Sequence, residues 1–508
     1  MSGYVRSIVA SGHSRVSETA AEIIRAGGNA FDAIVAAGFA SAVVEPALTS
    51  LGGGGLLIGH SMQHGQDLFF DFFVDTPGLG RPGVDKVDDF FPVTVRFPGS
   101  NQDFHIGLGS VAVPGTLKGL IHVQQRLGRM DMADIVAPAK ELARGHKIND
   151  QQGVFLALLY PIMTRHEDGR ALYEPGGVYK KTGDLLTNPL YAEFLDRIVD
   201  DQGESFYHGE IAAAIDREMT EAGGLLTRND LASYTVIERP PLKIRYRDYD
   251  FLTAPEPSVG GTLIALSLGL LEKAGPYPGA WGDGGQLCRT VALMQQVEKI
   301  RSSGITDFKR LNGFFEDGAY ERPVAELRVF SRGTTHISIA DRDGNCAAMT
   351  CSNGEGSSYF APGTGVMLNN MMGEDDLHPG GFHSSPPGQR VGSMMSPSLL
   401  VRDGRVKLVI GSGGSKRIRT AISQVLSQMV DFNRDLQTAV EAPRLYWDGE
   451  VVQVEPGLDR ESLEALSRYV PLNCWDSLDV YFGGVHAVIP GETGAGDPRR
   501  GGSVEIVT

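Results

Sequence analysis

The last third of the chain is written as one hairpin after another, and that is the feature that most restricts its fold. The stretch at 331–350, SRGTTHISIADRDGNCAAMT, alternates from Thr335 to Ala340, turns at Asp343-Gly344 and can return from Cys346. PSLLVRDGRVKLVIGSGG repeats the device around Asp403-Gly404, and GGVHAVIPGETGAGDPRRGGSVEIV supplies a third strand pair. Two helical segments, KRIRTAISQVLSQMVDF and DRESLEALSRYV, lie between them. Successive hairpins build antiparallel sheets whose apolar faces need covers. Two antiparallel sheets with helices outside them is one architecture that fits.

The first hundred residues read as α/β. SETAAEIIRAGG is a helix with acidic residues near its start and glycines at its end. Asn29 can cap a second, Ala-rich helix ending near Glu45-Pro46, and the tight loop TSLGGGG leads into strand-like LLIGH and DLFFDFFV. Residues 118–235 are mostly helical. LKIRYRDYDFLTAPEP and SVGGTLIALSLGLLEKAG then give a strand, a Pro turn and a helix, and the Gly- and Pro-rich residues 275–285 end that unit. Residues 298–332 are charged, lack periodicity until Val329 and read as an exposed connector to Gly333.

Composition excludes several classes. The 508 residues carry a net charge of −16 and no basic run, which argues against nucleic-acid binding. A charged fraction of 21% and a hydrophobic fraction of 42% suit a globular chain with a sizeable core. The 65 glycines cluster, at 52–55 and 411–414 among other places, which signals tight turns and close backbone approach. The four cysteines form no Cys-x-x-Cys, so buried free thiols in a reducing compartment are expected. The N-terminus MSGYVRSIVASGHSR has no long apolar run, and AFDAIVAAGFASAVV contains Asp32 and is too short to span a bilayer. A soluble cytoplasmic protein without a membrane partner is the expectation.

Gly333-Thr334-Thr335 admits four readings. Two threonines at a strand start can be structural only. A Ser-His-Asp hydrolase would need Gly-x-Ser-x-Gly, and the glycines of GSGGS at 411–415 are misplaced for it. GSGGSK also fails the phosphate-loop spacing, although a loop before a helix still offers N–H groups to an anion. The fourth reading uses both residue types. A cut between Gly333 and Thr334 would give Thr334 a free α-amine of pKa about 7.7–8.0, able to serve its own hydroxyl as base. The acyl-enzyme oxyanion would need two aimed N–H donors, which Gly413 and Gly414, at a helix start, can supply. Gly333 would tolerate the strained peptide from which an N-to-O acyl shift begins.

The sequence resembles the γ-glutamyltransferase (γ-glutamyltranspeptidase) family of N-terminal-nucleophile hydrolases. The ordered set SETAAEIIRAGGNAFDAIVAAGFASAVVEPALTSLGGGG, SVAVPGTLKGL, LLTRNDLASYTVIERPPL, APEPSVGGTLIA, GTTHISIADRDGN, PGTGVMLNN, SMMSPSLL, GSGGSKRI and GDPRRGG carries the resemblance nearly end to end. It implies an α+β fold, a four-layered αββα sandwich of two stacked antiparallel sheets flanked by helices. It also implies a proenzyme that cleaves itself at Gly333–Thr334 into a large subunit, 1–333, and a small subunit, 334–508. Thr334 is the implied nucleophile, and Gly413 and Gly414 the oxyanion donors. The implied reaction passes an acyl group from a γ-glutamyl amide, such as glutathione, to water or an amino-acid or peptide acceptor.

The implied donor pocket departs from the family pattern. Thr and Asn, eighteen and twenty residues after the nucleophile, become Ser352 and Gly354, with Asn353 between them. The Gln or Glu after Asn369-Asn370 becomes Met371, and the Asp three residues later becomes Glu374. The paired serines before Met-Ser-Pro become Ser393 and Met394, and Arg81 is the nearest match to the arginine that clamps the donor α-carboxylate. Each lost hydrogen bond to a charged ligand costs roughly 1.5–3 kcal/mol. The Thr334 chemistry therefore reads as intact and glutamyl recognition as altered.

Rivals remain beside the γ-glutamyl reading. One is an acylase on another amide, such as a glutaryl side chain. The other is an inactive homologue that never matures and acts as a binding protein. His336 reads as a packed structural histidine. Glu374, Asp375 and Asp376 read as a solvated acidic loop rather than a metal site, and no cofactor is expected. The glycines at 52–55 can touch substrate or serve packing. The partners expected are a small amide substrate, its acceptor and the two subunits of one precursor, with a dimer of such pairs compatible with the sequence.

Overall fold

A computed structural model describes residues 4–81, 87–97, 100–302, 333–378 and 380–508. Thirteen strands among these residues build the two large sheets. They are β1 (Ser7–Ser11), β2 (Gly54–Ser61), β3 (Gln66–Phe72), β4 (Ile237–Arg239), β5 (Leu242–Tyr246), β6 (Tyr249–Thr253), β7 (Thr335–Ala340), β8 (Cys346–Ser352), β9 (Ser398–Arg402), β10 (Arg405–Gly413), β11 (Gly484–Ile489), β12 (Thr493–Ala495) and β13 (Ser503–Val507). The seven-stranded sheet runs β13-β1-β7-β8-β2-β3-β4 and the six-stranded sheet β12-β11-β10-β9-β6-β5. Every neighbouring pair in them is antiparallel. The hairpins at Asp343-Gly344 and Asp403-Gly404 form as the turn residues predict.

β7 shows why the sheets stack. Ile337 and Ile339 pack with the outer helices Ser14–Arg25, Ala30–Val44 and Thr116–Leu127. The alternate residue His336 meets the other sheet, where a Cβ on Gly411 would fall 2.2 Å from its ring. Period-two alternation therefore buries all six residues of the strand. Helices Val259–Ala274 and Arg417–Asp431 cover the six-stranded sheet through Ile264, Leu268, Ile422 and Leu426. The result is the expected αββα sandwich, and both sheets take strands from either side of residue 333.

Some local expectations shift. LKIRYRDYDFLT is a hairpin, β5 and β6, rather than one strand. The third strand pair splits, with β11 and β12 in one sheet and β13 beside β1 in the other. Helix Gly284–Ser302 runs through the start of the expected connector, and Glu298 is buried between Arg301 and Arg419 rather than exposed. The rest of that connector, 303–332, lies outside the described residues. Cys346 and Cys351 are buried free thiols as expected, whereas Cys474 is exposed. No helix among the described residues is long and apolar enough to cross a membrane.

Candidate active site at Thr334

Thr334 sits at the head of β7, an inner strand of the larger sheet, where β10 of the other sheet ends in Gly413. A Cβ on Gly413 would fall 2.4 Å from the Thr334 carbonyl oxygen, so the two backbones touch only because this residue is glycine. Gly414 follows with φ +124°, and the helix begins at Arg417. The glycine pair thus occupies a strand end and turn rather than the helix start expected from sequence. Gly333 is equally confined: a Cβ there would meet the Gly354 and Ala47 oxygens at 2.5 and 2.8 Å.

The peptide preceding Thr334 is held from several directions. Ser352 at the end of β8 donates its hydroxyl to the Gly333 carbonyl at 2.6 Å and accepts from the Gly354 N–H at 3.1 Å. Gly333 N–H donates to Glu355 at 3.3 Å. Arg500 donates to the Thr334 carbonyl at 3.1 Å. The turn bearing Arg500, Pro498–Arg500, is capped by Asp497 and anchored by buried ion pairs from Arg444 to Asp497, 2.5 Å, and Arg499 to Glu455, 2.5 Å.

A small cleft opens at Thr334. Ser352, Glu374, Ser393 and Met394 line it with Thr334, so four of the six residues expected at the donor pocket are brought together. Phe73, Met371, Met395, Leu377 and Ile418 add an apolar wall. No lysine or arginine among the described residues lines it. The wall at 393–395 is pinned by Ser258, whose hydroxyl donates to the Ser393 and Met395 carbonyls at 3.1 and 2.9 Å. The segment leading to Glu374 is pinned by Asn369, which bonds Gly52, Ala112 and Met371.

Two expected residues fall elsewhere. Arg81 is not in the cleft; its guanidinium bonds the Gly224 carbonyl and the Thr220 hydroxyl and pairs with Asp216 at 3.6 Å. The chain turns away after β3, so sequence order did not carry that arginine to Thr334. Asn353 is buried beside the site without lining the cleft, and its side-chain oxygen has no hydrogen-bond partner among the described residues. The acidic loop is only partly solvated as expected: Asp375 is exposed, but Glu374 is buried and Asp376 pairs with Lys416 at 2.8 Å. No group of acidic, Cys or His side chains among the described residues is arranged to hold a metal. The glycines at 52–55 are packing residues; Cβ atoms there would strike Leu368, Ser352, Phe73 and Phe72.

The electrostatics beneath the site come mainly from burial. His336 is held well below its ordinary pKa by burial and by neighbouring His486. It is a neutral ring bonding Thr350 and Ser338 at 2.7 and 2.9 Å, the structural role expected of it. Glu45, at the end of helix Ala30–Val44, accepts from the Thr335 hydroxyl at 3.0 Å, and burial pushes its carboxyl up to about 7. Burial and Arg417 lower Arg500 to about 10. Glu45 and Arg500 were missed in the sequence, where the first read as a helix end and the second lay within GDPRRGG with no role given to it. Their signal was a charge directly beside an apolar or glycine-rich run.

Comparison with known proteins places this geometry. A family model described as gamma-glutamyltranspeptidase matches residues 16–328 and 292–507. The glutathione hydrolase proenzyme of Escherichia coli (strain K12) is 30% identical over 496 residues, covering 90% of this chain and 84% of that protein. The acylase ACY 1 proenzyme of Pseudomonas sp. (strain V22) is 31% identical over 491 residues, covering 91% and 86%. Among solved structures, cephalosporin acylase from Bacillus halodurans shares the fold with a TM-score of 0.82 at 23% identity, over 99% of this chain and 96% of that one.

Proposed function

The chain belongs to the gamma-glutamyltranspeptidase family, and from that premise we propose that it is a self-processing amidohydrolase and acyltransferase with Thr334 as its nucleophile. The observation that carries this reading is the Gly333 carbonyl already receiving the Ser352 hydroxyl at 2.6 Å, beside a cleft that Thr334 lines. In maturation, the Thr334 hydroxyl adds to the Gly333 carbonyl carbon and the Gly333–Thr334 C–N bond breaks. Water then cleaves the ester, leaving a Gly333 carboxylate on the large subunit, 1–333, and an α-amine on the small subunit, 334–508. In turnover the amine takes the hydroxyl proton as oxygen attacks the donor amide, then returns it to the departing amine. The Gly413 and Gly414 N–H groups are assigned to the oxyanion, a role in which a single donor is worth about 10²–10³ in rate.

A γ-glutamyl amide is the leading donor class. Glu374 supports it, since a donor α-ammonium needs an anionic partner in the cleft. A second reading, an acylase on a less charged or differently charged amide, draws support from Met371 and Met394 in the wall and from the lack of a lining cation among the described residues. Intact mass and N-terminal sequencing of the smaller fragment test maturation: a first residue other than Thr334, or an active protein with an unbroken chain, overturns the mechanism. Comparing γ-glutamyl and glutaryl anilides tests the donor. Faster turnover of the glutaryl compound would replace the leading class with the second.

A further inference from the structure

Helix Arg417–Asp431 has two unlike faces. Ile418, Ile422, Val425 and Leu426 pack on the six-stranded sheet. Arg419, Ser423, Gln424, Ser427, Gln428 and Asp431 instead line a cavity of about 60 Å³ on its other side. That volume accommodates several waters or a small ring. The opposite wall is apolar and aromatic, formed by Leu271, Leu293, Met294 and Val297 with Trp281 and Trp447. One polar wall facing one apolar wall is the usual construction of a small-molecule site.

The polar wall is under-satisfied. Oγ of Ser423 and Oε1 of Gln428 have no hydrogen-bond partner among the described residues, and Nε and Nη1 of Arg419 have none at full hydrogen-bond geometry, although Tyr446 lies beside that guanidinium; all three side chains are at least nine-tenths buried. Burying such atoms without a partner is costly, so they mark places where a ligand or water belongs. Arg419 keeps its Nη2 on Glu298 at 2.5 Å, and Arg301 shares that carboxylate at 2.6 Å, leaving one net positive charge in the triad. Asp431 does not oppose an anion at close range unscreened, because Arg247 pairs with it at 2.9 Å. Arg289 adds a second lining cation.

We propose that this cavity is a second ligand site, separate from the Thr334 cleft, that takes a small aromatic carboxylate. The carboxylate meets the open edge of Arg419 and the Ser423 hydroxyl, and the ring lies against the apolar wall and the indoles. The site shares its helix with the cleft, since Ile418 lines one and Arg419 the other. The proposal does not depend on the reaction assigned to Thr334, because its test reads binding alone.

Calorimetric titration of the purified protein with phenylacetate, 2-phenylethanol and phenethylamine is the test. Phenylacetate is expected to bind once per chain, at least about tenfold more tightly than either control, a difference of about 1.4 kcal/mol. Arg419→Gln should lose that preference. Because it also disturbs Glu298, Ser423→Leu is the companion variant: it fills the cavity without changing charge and should weaken phenylacetate by about tenfold or more at unchanged thermal midpoint. Leu377→Trp, which obstructs the Thr334 cleft, should leave phenylacetate affinity as it was. The proposal is overturned if phenylacetate shows no saturable binding at millimolar concentration. It is equally overturned if Ser423→Leu binds normally, or if Leu377→Trp is the variant that abolishes binding.

Discussion

At the scale of single residues, Thr334 is expected to carry the reaction, and three substitutions divide the labour around it. Thr334→Ala should run as one full-length band on a denaturing gel, where the parent is expected to run as two near 1–333 and 334–508. Ser352→Ala removes the hydroxyl that donates to the Gly333 carbonyl. Processing should slow on the order of 10²-fold, by the measure of other lost oxyanion donors, and a time course of the two bands reads it. Glu45 gives a pH signature. Its folded pKa of about 7 lies above the ordinary carboxyl value, so its contribution is fully present below the ordinary value and is lost as pH rises through 7. Between those limits the protein should lose roughly 3 kcal/mol. Urea midpoints at pH 5 and pH 8 should therefore differ more in the parent than in Glu45→Gln. Equal pH dependence in the two proteins would remove Glu45 from this role. The partner of Glu45 was not legible, because Thr335 lies 290 positions away.

At the scale of elements, the contact between β7 and β10 decides the site. His336 fills the space that a side chain at Gly411 would need, and Gly413 lets the Thr334 carbonyl approach. Gly411→Ala should cost about 1–3 kcal/mol, the range for overpacking a filled core, and lower the urea midpoint. A midpoint equal to that of the parent would mean that the sheets can part there freely. The hairpins themselves were readable because Asp-Gly turns and period-two alternation are local properties. The pairing of β7 with β1, and of β10 with β11, was not readable from those turns, since each joins segments far apart in the chain.

At the scale of the molecule, the two regions divided at residue 333 share both large sheets. The seven-stranded sheet takes β1–β4 from the first region and β7, β8 and β13 from the second. Residues 1–333 and 334–508 expressed separately should each fail to fold, while their co-expression should restore a soluble complex. A stable, cooperatively unfolding fragment from either alone would contradict the shared core. The sequence by itself determined most strands and helices and the two Asp-Gly hairpins, because periodicity and turn preference act over a few bonds. Only the tertiary structure decided that Arg81 leaves the cleft, that Arg500 and Glu45 enter its surroundings, and that Glu374 is buried. Those outcomes depend on which distant segments exclude water from one another, and no short stretch of chain contains that information.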